Sequence, residues 1–269
     1  MATVTEMGLA DLFGRTYLSR PLSVSSDQVY DFVEVTGDDS ARWLEVAPPG
    51  FAAAALFVVA PDLLEEMSDH SVIHGEQSFT WHGPITVGKS LEVTGKVSRV
   101  RERGGVYYIE FGILASEKGG TLIEGSSLFL VSGDAVPVES RFERPEPPHS
   151  YRGEPLPGQR AASRADLVRY ASATGDWNPI HWDHDAAVTA GLPGVVTHGL
   201  LQAAWALAEA SRHGRGPTPI RSAQIRFRNP LLPARPISIS TVVDGQNVVV
   251  TISDEDHEYL SARIELSGE

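Results

Sequence analysis

An aspartate and a histidine in the segment Thr174-Gly175-Asp176-Trp177-Asn178-Pro179-Ile180-His181 are the residues of this sequence best placed to do chemistry. Pro179 fixes its own φ and pushes Asn178 toward extended geometry, so we expect the chain to bend here. The bend would let the carboxylate and the imidazole converge on one water molecule. Such a pair suits proton transfer near neutral pH. The same spacing is as typical of a plain helix exit followed by a turn.

A second feature follows at residues 191–199, where a glycine-rich stretch leads into an apolar run over residues 200–208. The run is apolar almost all round, which predicts a buried helix. Gly199 lies where this helix would begin, so no side chain keeps a ligand from the first free amides. This position suits a carbonyl oxygen that gains negative charge. The two features predict the addition or removal of water next to an activated carbonyl.

Tyr170, the segment 175–181 and the pair His198-Gly199 resemble the signature of the MaoC-like, R-specific enoyl-CoA hydratases, which have the hotdog fold. The motif elements agree in type and spacing over roughly residues 160 to 210. The resemblance implies a hydratase or dehydratase that acts on acyl thioesters. It also implies no metal or redox cofactor, with coenzyme A or phosphopantetheine present only as part of the substrate.

The motif and the resemblance suggest a role for each site residue. In hydration, Asp176 would take the proton of a water held between it and His181, and His181 would protonate the α-carbon. Which of the two does which stays open. The Gly199 amide would hold the thioester oxygen, and Asn178 would orient the dyad or its water. His198 adjoins this oxyanion and substrate-binding group, and we favour a hydrogen-bonded structural role for it.

Arg226 and Arg228 alternate with apolar residues along a predicted strand. They are possible contacts for the phosphates of a coenzyme A or carrier-protein arm. Exposure of one strand face to solvent explains both arginines equally well.

A cluster of His181, Asp183, His184 and Asp185 has a metal-site interpretation, because these residue types can bind a divalent ion that activates water. However, His184 and Asp185 are followed by Ala186-Ala187-Val188. This pattern is more typical of the first turn of a short helix, where acidic residues and caps are common. We therefore predict no metal site.

The chain contains an internal repeat, in which residues 25–38 align with residues 163–176 without a gap. Each copy predicts a helix with a serine cap, a side chain three residues on that reaches back to the cap, and a glycine that ends the helix. These residues are Ser25, Gln28 and Gly37 in the first copy, and Ser163, Asp166 and Gly175 in the second.

The first half has lost most of the dyad motif. Opposite residues 178–181 it carries Ser40, Ala41, Arg42 and Trp43, so only Asp38 remains. Tryptophan cannot accept or deliver a proton as imidazole does. We therefore expect one active site per chain, in the second half, with the first half shaping the acyl pocket.

The repeat and the strand pattern predict an α+β protein with a tandem (double) hotdog fold, in which each half is an antiparallel sheet wrapped around a long central helix. We expect a degenerate domain at residues 1–133, a Pro-rich linker at 134–158 and a catalytic domain at 159–269. The predicted strands cover residues 77–81, 91–100, 106–115 and 121–131 in the first half, and 224–227, 237–243, 248–253 and 259–266 in the second.

Composition sets outer limits on function. The 269 residues include 42% hydrophobic and 21% charged residues, which is ordinary for a globular protein of two domains. A net charge of -13 argues against nucleic acid or anionic membranes as partners. The absence of cysteine excludes disulfides, zinc-thiolate sites and thiol nucleophiles. With neither a leader pattern nor a spanning segment in the sequence, we expect a cytoplasmic protein.

Three alternatives stay open beside an enoyl-CoA hydratase. An acyl-carrier-protein dehydratase would use the same dyad on another carrier, and a hotdog thioesterase would release free thiol. A non-catalytic acyl-binding protein is disfavoured by the intact Asp176 and His181. The tandem is expected to be monomeric or to pair again as a homodimer of pseudodimers.

Overall fold

The computed structural model describes residues 8–134 and 158–268. Within these residues, ten antiparallel strands form one sheet, and the two longest helices pack against it. The helices are α1 (Ser26–Thr36), α2 (Ala52–Glu66), α3 (Arg164–Thr174), α4 (His184–Thr189) and α5 (Gly199–Ser211). The strands are β1 (Thr16–Ser23), β2 (His70–Trp81), β3 (Ser90–Arg103), β4 (Val106–Glu117), β5 (Gly120–Asp134), β6 (Gln159–Arg160), β7 (Ile220–Phe227), β8 (Ile237–Asp244), β9 (Asn247–Ser253) and β10 (Glu258–Leu266).

The repeated helices α1 and α3 begin and end where the sequence predicts. The hydroxyls of Ser25 and Ser163 each accept a hydrogen bond from the amide three residues on. Gly37 and Gly175 end the helices with φ of 61° and 85°, values that favour glycine. Local capping chemistry therefore fixes where each of these two helices begins and ends.

The expected cap contact of Gln28 is wrong. Asp166 does reach back to the amide of Ser163, at 2.9 Å. Gln28 instead donates through Nε2 to the carbonyl of Ala173 in α3, at 2.8 Å. Because α1 and α3 pack side by side, the longer amide side chain joins the two halves rather than its own helix end.

All eight predicted strands are present, and most extend beyond their predicted ends. The sequence missed β1 and β6. Along β1 only Tyr17 and Leu22 are buried, so the strand lacks a regular alternation of apolar and polar residues. The two-residue β6 is too short to give any pattern, and its pairing with β8 is decided by the tertiary structure.

Strands β2 and β7 pair antiparallel at the centre of the sheet and relate the two halves by a pseudo-twofold axis. These strands end at the equivalent residues Trp81 and Phe227. Ser78 and Gln224 lie three residues before these ends, and they pair with each other. A residue that pairs with its own equivalent lies on the axis, as in an isologous dimer interface.

The two halves share one buried apolar core. Helix α2 packs on β1 and β3, and α5 packs on β9 and β10. Contacts also cross between halves: a Cβ on Gly50 would lie 3.0 Å from the Cβ of Ala204, and one on Gly175 would lie 3.5 Å from the Cβ of Phe57. The division at residues 134–158 stays a prediction, because residues 135–157 fall outside the described ranges.

No helix within the two described ranges combines the length and the apolar character that crossing a membrane would require.

Candidate active site

The turn after α3 carries Asp176 and His181 into the core. Asn178 caps a short 3-10 turn at Pro179–His181, and its side-chain oxygen accepts from the amide of Ile180 at 3.3 Å. Asp176 is only 6% exposed and His181 only 7% exposed. Asn178 therefore orients the backbone of the turn through its cap, and the turn presents both reactive side chains to a buried space.

The dyad atoms face each other at a separation that suits a shared water. Nε2 of His181 lies 3.9 Å from Oδ2 of Asp176. This distance is too long for a direct hydrogen bond and fits two groups that bind the same water molecule. The convergence expected from the Asn-Pro bend is thus seen in the structure.

A backbone carbonyl fixes the orientation of the His181 ring. Nδ1 of His181 lies 2.8 Å from the carbonyl oxygen of Val196. A carbonyl can only accept, so Nδ1 carries the proton in the neutral ring. The lone pair is therefore on Nε2, which is the nitrogen that faces Asp176.

His198 holds the other side of the site. It is fully buried, and its Nε2 donates to the backbone carbonyl of Asp176 at 3.2 Å. Its ring stacks on His181 with centroids 3.7 Å apart, and it also contacts the ring of Tyr170. The structural role favoured for His198 stays a prediction, and this geometry supports it.

Burial shifts the pKa values of the dyad in opposite directions. Burial raises the pKa of Asp176 to about 7, against a smaller lowering by the amide of Asn178. Burial lowers the pKa of His181 to about 4, partly offset by the carbonyl of Val196. Burial and the neighbouring His181 also lower the pKa of His198. At neutral pH both imidazoles are therefore neutral, and Asp176 is poised to gain or lose a proton.

Helix α5 begins at Gly199, directly after His198. A Cβ on Gly199 would lie 3.0 Å from ring atoms of Phe227, so only glycine lets the helix start pack against that ring. The free amides of the first turn and the positive end of the helix dipole lie next to the dyad segment. This arrangement can stabilise negative charge on a carbonyl oxygen.

Several buried polar atoms around the dyad have no partner among the described residues. They are the Tyr170 hydroxyl, Thr197 Oγ1, His198 Nδ1 and Gln202 Oε1. A buried polar group without a hydrogen bond typically costs about 1–3 kcal/mol. Polar atoms left free in this number are therefore suited to bind water and a polar substrate.

In the first half, Trp43 occupies the place of the histidine. Its indole Nε1 donates to Oδ2 of Asp38 at 2.9 Å. This direct hydrogen bond ties up the carboxylate, and indole has no lone pair with which to take a proton. The geometry supports the prediction of a single dyad per chain, in the second half.

Arg226 and Arg228 lie on the outer face of the sheet, opposite the face that Ile225 buries. Arg226 pairs with Glu76 at 3.1 Å, and Arg228 pairs with Glu258 at 3.3 Å. They line a groove of about 610 Å³ on that face. The structure thus brings together Asp176, His181, Asn178, His198 and Gly199 but does not bring these arginines to them, and their role as phosphate contacts stays a prediction.

Two groups of side chains in the described ranges have metal-ligand atoms within 4.8 Å of one another, and they differ from the cluster considered in the sequence. Asp183 instead caps α4, where its Oδ1 accepts from the amides of Asp185 and Ala186. One of the two groups belongs to the candidate active site. In the other group, the carboxylate of Asp254 already accepts hydrogen bonds from Tyr259 and Arg235. The two groups are Asp176, His181 and His198, and Asp254, Asp256 and His257.

Comparison with known proteins places the chain in a family. The MaoC like domain matches residues 149–262, and the FAS1-like dehydratase domain region matches residues 20–116. The chain is 31% identical over 228 residues to 3-hydroxyacyl-thioester dehydratase X of Mycobacterium tuberculosis, across 82% of this chain and 78% of that protein. The chain belongs to the MaoC-like dehydratase family. Both the family and its class of enzyme, a hydro-lyase, are those that the sequence predicted.

Two further comparisons concern a longer relative and the fold. The MaoC-like chain is 23% identical over 231 residues to peroxisomal multifunctional enzyme type 2 of Drosophila melanogaster. The match spans 77% of this chain but only 38% of that protein. A Mycobacterium tuberculosis protein with a double hotdog fold superimposes with a TM-score of 0.62 at 12% identity, over 94% of this chain and 96% of that one. The predicted double hotdog fold is confirmed.

The sequence missed several residues that build the MaoC-like site. Val196 acts through its carbonyl, which any residue type would supply, so no side-chain pattern reveals it. Phe227 was expected only as part of a strand, and it packs on Gly199. Phe57 reaches Gly175 from α2 of the other half. Such contacts join distant segments, and one sequence alone does not show them.

Proposed function

We propose that this protein catalyses the reversible hydration of a trans-2-enoyl thioester to the R-3-hydroxyacyl thioester. The observation that carries the proposal is the buried dyad, in which the lone pair of His181 faces Asp176 across 3.9 Å. The helix that begins at Gly199 directly follows His198, which donates a hydrogen bond to the backbone carbonyl of Asp176. An acid and a base beside an oxyanion site are the groups that this reaction requires.

The protonation states give each dyad member a role. With a pKa of about 7 for Asp176 and about 4 for His181, the dyad holds one proton between these limits, on the carboxyl. In dehydration, Nε2 of His181 takes the α-proton, and Asp176 protonates the leaving β-hydroxyl, which departs as water. In hydration the dyad proton first moves from Asp176 to Nε2 of His181. The ionised Asp176 then takes a proton from the attacking water, and His181 protonates the α-carbon.

The Gly199 amide supports both directions. Removal of the α-proton places negative charge on the thioester oxygen, and a fixed N–H at a helix start stabilises that charge without reorganising. Glycine at this position lets the helix start pack against the Phe227 ring. Asn178 keeps the turn in place by capping the amide of Ile180.

The carrier is coenzyme A or the phosphopantetheine of an acyl carrier protein, as part of the substrate. The name of the Mycobacterium tuberculosis relative specifies a 3-hydroxyacyl thioester, which both carriers form. The dyad acts on the acyl part that the two share. We propose that the reaction needs no separate cofactor, because the steps above are proton transfers that Asp176 and His181 supply.

Crotonyl-CoA tests the proposal directly. Purified protein should remove the enoyl-thioester absorbance, release no free thiol and give the R-3-hydroxy product on chiral analysis. The crotonyl thioester of an acyl carrier protein, assayed in parallel, tests the second carrier. Thiol release would indicate hydrolysis instead, and loss of neither thioester would count against hydration.

A further inference from the structure

His74 of the first half lies close to the Gly199 helix start of the second half. Its ring lies between Phe129 and Phe227, with centroids 4.9 Å from each. Phe227 is also the ring that packs on Gly199, at 3.0 Å from the place of a Cβ. His74 and the Gly199 helix start therefore contact the same aromatic ring.

The free nitrogen of His74 is an acceptor. Nε2 is buried and has no partner. Burial lowers the pKa of His74 to about 4, so the ring is neutral near pH 7. The backbone of Glu76 and then the side chain of Gln77 raise this pKa in part, as groups that accept from a ring N–H do. Since Nε2 has no partner, the donating nitrogen is Nδ1, and Nε2 keeps its lone pair.

Gln77, whose side chain raises the pKa of His74, belongs to a buried polar pair. Gln77 is 1% exposed and Ser127 is 0% exposed, and the Ser127 hydroxyl donates to Gln77 Oε1 at 2.6 Å. These two residues pair across β2 and β5. The equivalent pair in the second half is Ala223 and Ile264, across β7 and β10. The first half thus keeps a buried polar pair where its copy is apolar.

We propose that His74 is a substrate-binding residue whose Nε2 accepts a hydrogen bond from a donor group of the thioester substrate. This inference rests on the proposed function. Two parts of a substrate can supply the donor: the amide N–H nearest the sulfur in the pantetheine arm, or a hydroxyl on the acyl chain. A substrate that lacks the donor group leaves Nε2 buried and unpaired. The site therefore favours substrates that carry the donor.

Two matched pairs of substrates separate these sources. The first pair is the crotonyl thioesters of N-acetylcysteamine and of 2-acetoxyethanethiol, which differ only by oxygen in place of N–H. The second pair is 6-hydroxyhex-2-enoyl-CoA and hex-2-enoyl-CoA. We expect the native protein to prefer the donor-bearing member of one pair by about tenfold in kcat/KM, the size of one neutral hydrogen bond.

The variant His74→Phe should abolish that preference while keeping the ring contacts. His74→Gln, which restores an acceptor, should recover part of it and serves if the first variant does not fold. His82→Phe, at an exposed histidine paired with Glu124, is the control and should behave as the native protein. Equal kcat/KM within both pairs in the native protein would overturn the inference and leave the proposed function intact. No turnover of any thioester would overturn both.

Discussion

His181 and His198 each donate a hydrogen bond to a backbone carbonyl in the other's segment. His181 donates to Val196, two residues before His198, and His198 donates to Asp176, five residues before His181. The two imidazole rings stack on each other, with their centroids 3.7 Å apart. The dyad turn and the oxyanion helix start are therefore held together by two neutral imidazoles with opposite tautomers.

Asp176→Asn should lower kcat/KM roughly 10²- to 10⁴-fold, because the amide cannot exchange the proton of the water. Asp38→Asn is the matched control at the equivalent place in the first half, where Trp43 holds the carboxylate. It should leave kcat/KM within about twofold, since it touches no reacting atom. Steady-state rates with crotonyl-CoA check both. Equal losses in the two folded variants would contradict a single dyad.

The pH profile of kcat/KM should be bell-shaped, with limbs near the pKa of about 4 for His181 and about 7 for Asp176. Below the lower limb His181 gains a proton and cannot take one. Above the upper limb Asp176 loses the proton that the dyad must hold. The same singly protonated dyad serves both directions, so hydration and dehydration should share the profile. A profile that is flat from pH 5 to pH 9 would be inconsistent with these states.

Gly199→Ala should lower kcat by about 10²-fold, because its Cβ would displace either Phe227 or the helix start that binds the oxyanion. Gly50→Ala is a control with a similar clash, at 3.0 Å from the Cβ of Ala204. Both substitutions should cost about 1–3 kcal/mol of stability by overpacking. Thermal unfolding and kcat, measured on each variant, separate the effects. If both lose activity equally, packing rather than the oxyanion site explains the loss.

His198→Phe should keep the stacking on His181 but lose the hydrogen bond to the carbonyl of Asp176. We expect kcat to fall about tenfold or more, since small misplacements of reacting groups are costly, while KM changes little. Because the buried carbonyl of Asp176 is left without a partner, the variant should lose about 1–3 kcal/mol of stability. Kinetics and denaturant unfolding test this together. An unchanged kcat in the folded variant would show that the tie does not position the dyad.

Elements with short-range signals were predicted well. The caps at Ser25 and Ser163 and the glycine ends of α1 and α3 depend on residues within one turn, so the sequence alone locates them. The side chain of Gln28 was assigned wrongly because its partner, Ala173, lies in the other half. Strand β1 was missed because its burial pattern is set by the edge on which it lies.

By itself the sequence determined the family, eight of the ten strands described, and the motif that places Asp176, Asn178 and His181 around one turn. These follow from local geometry, since Pro179 bends the chain whatever surrounds it. Only the tertiary structure decided the 3.9 Å separation, the tautomer of His181 and the outward direction of Arg226. Those depend on which backbone carbonyls, carboxylates and sheet faces distant segments bring together, and on the burial that shifts each pKa.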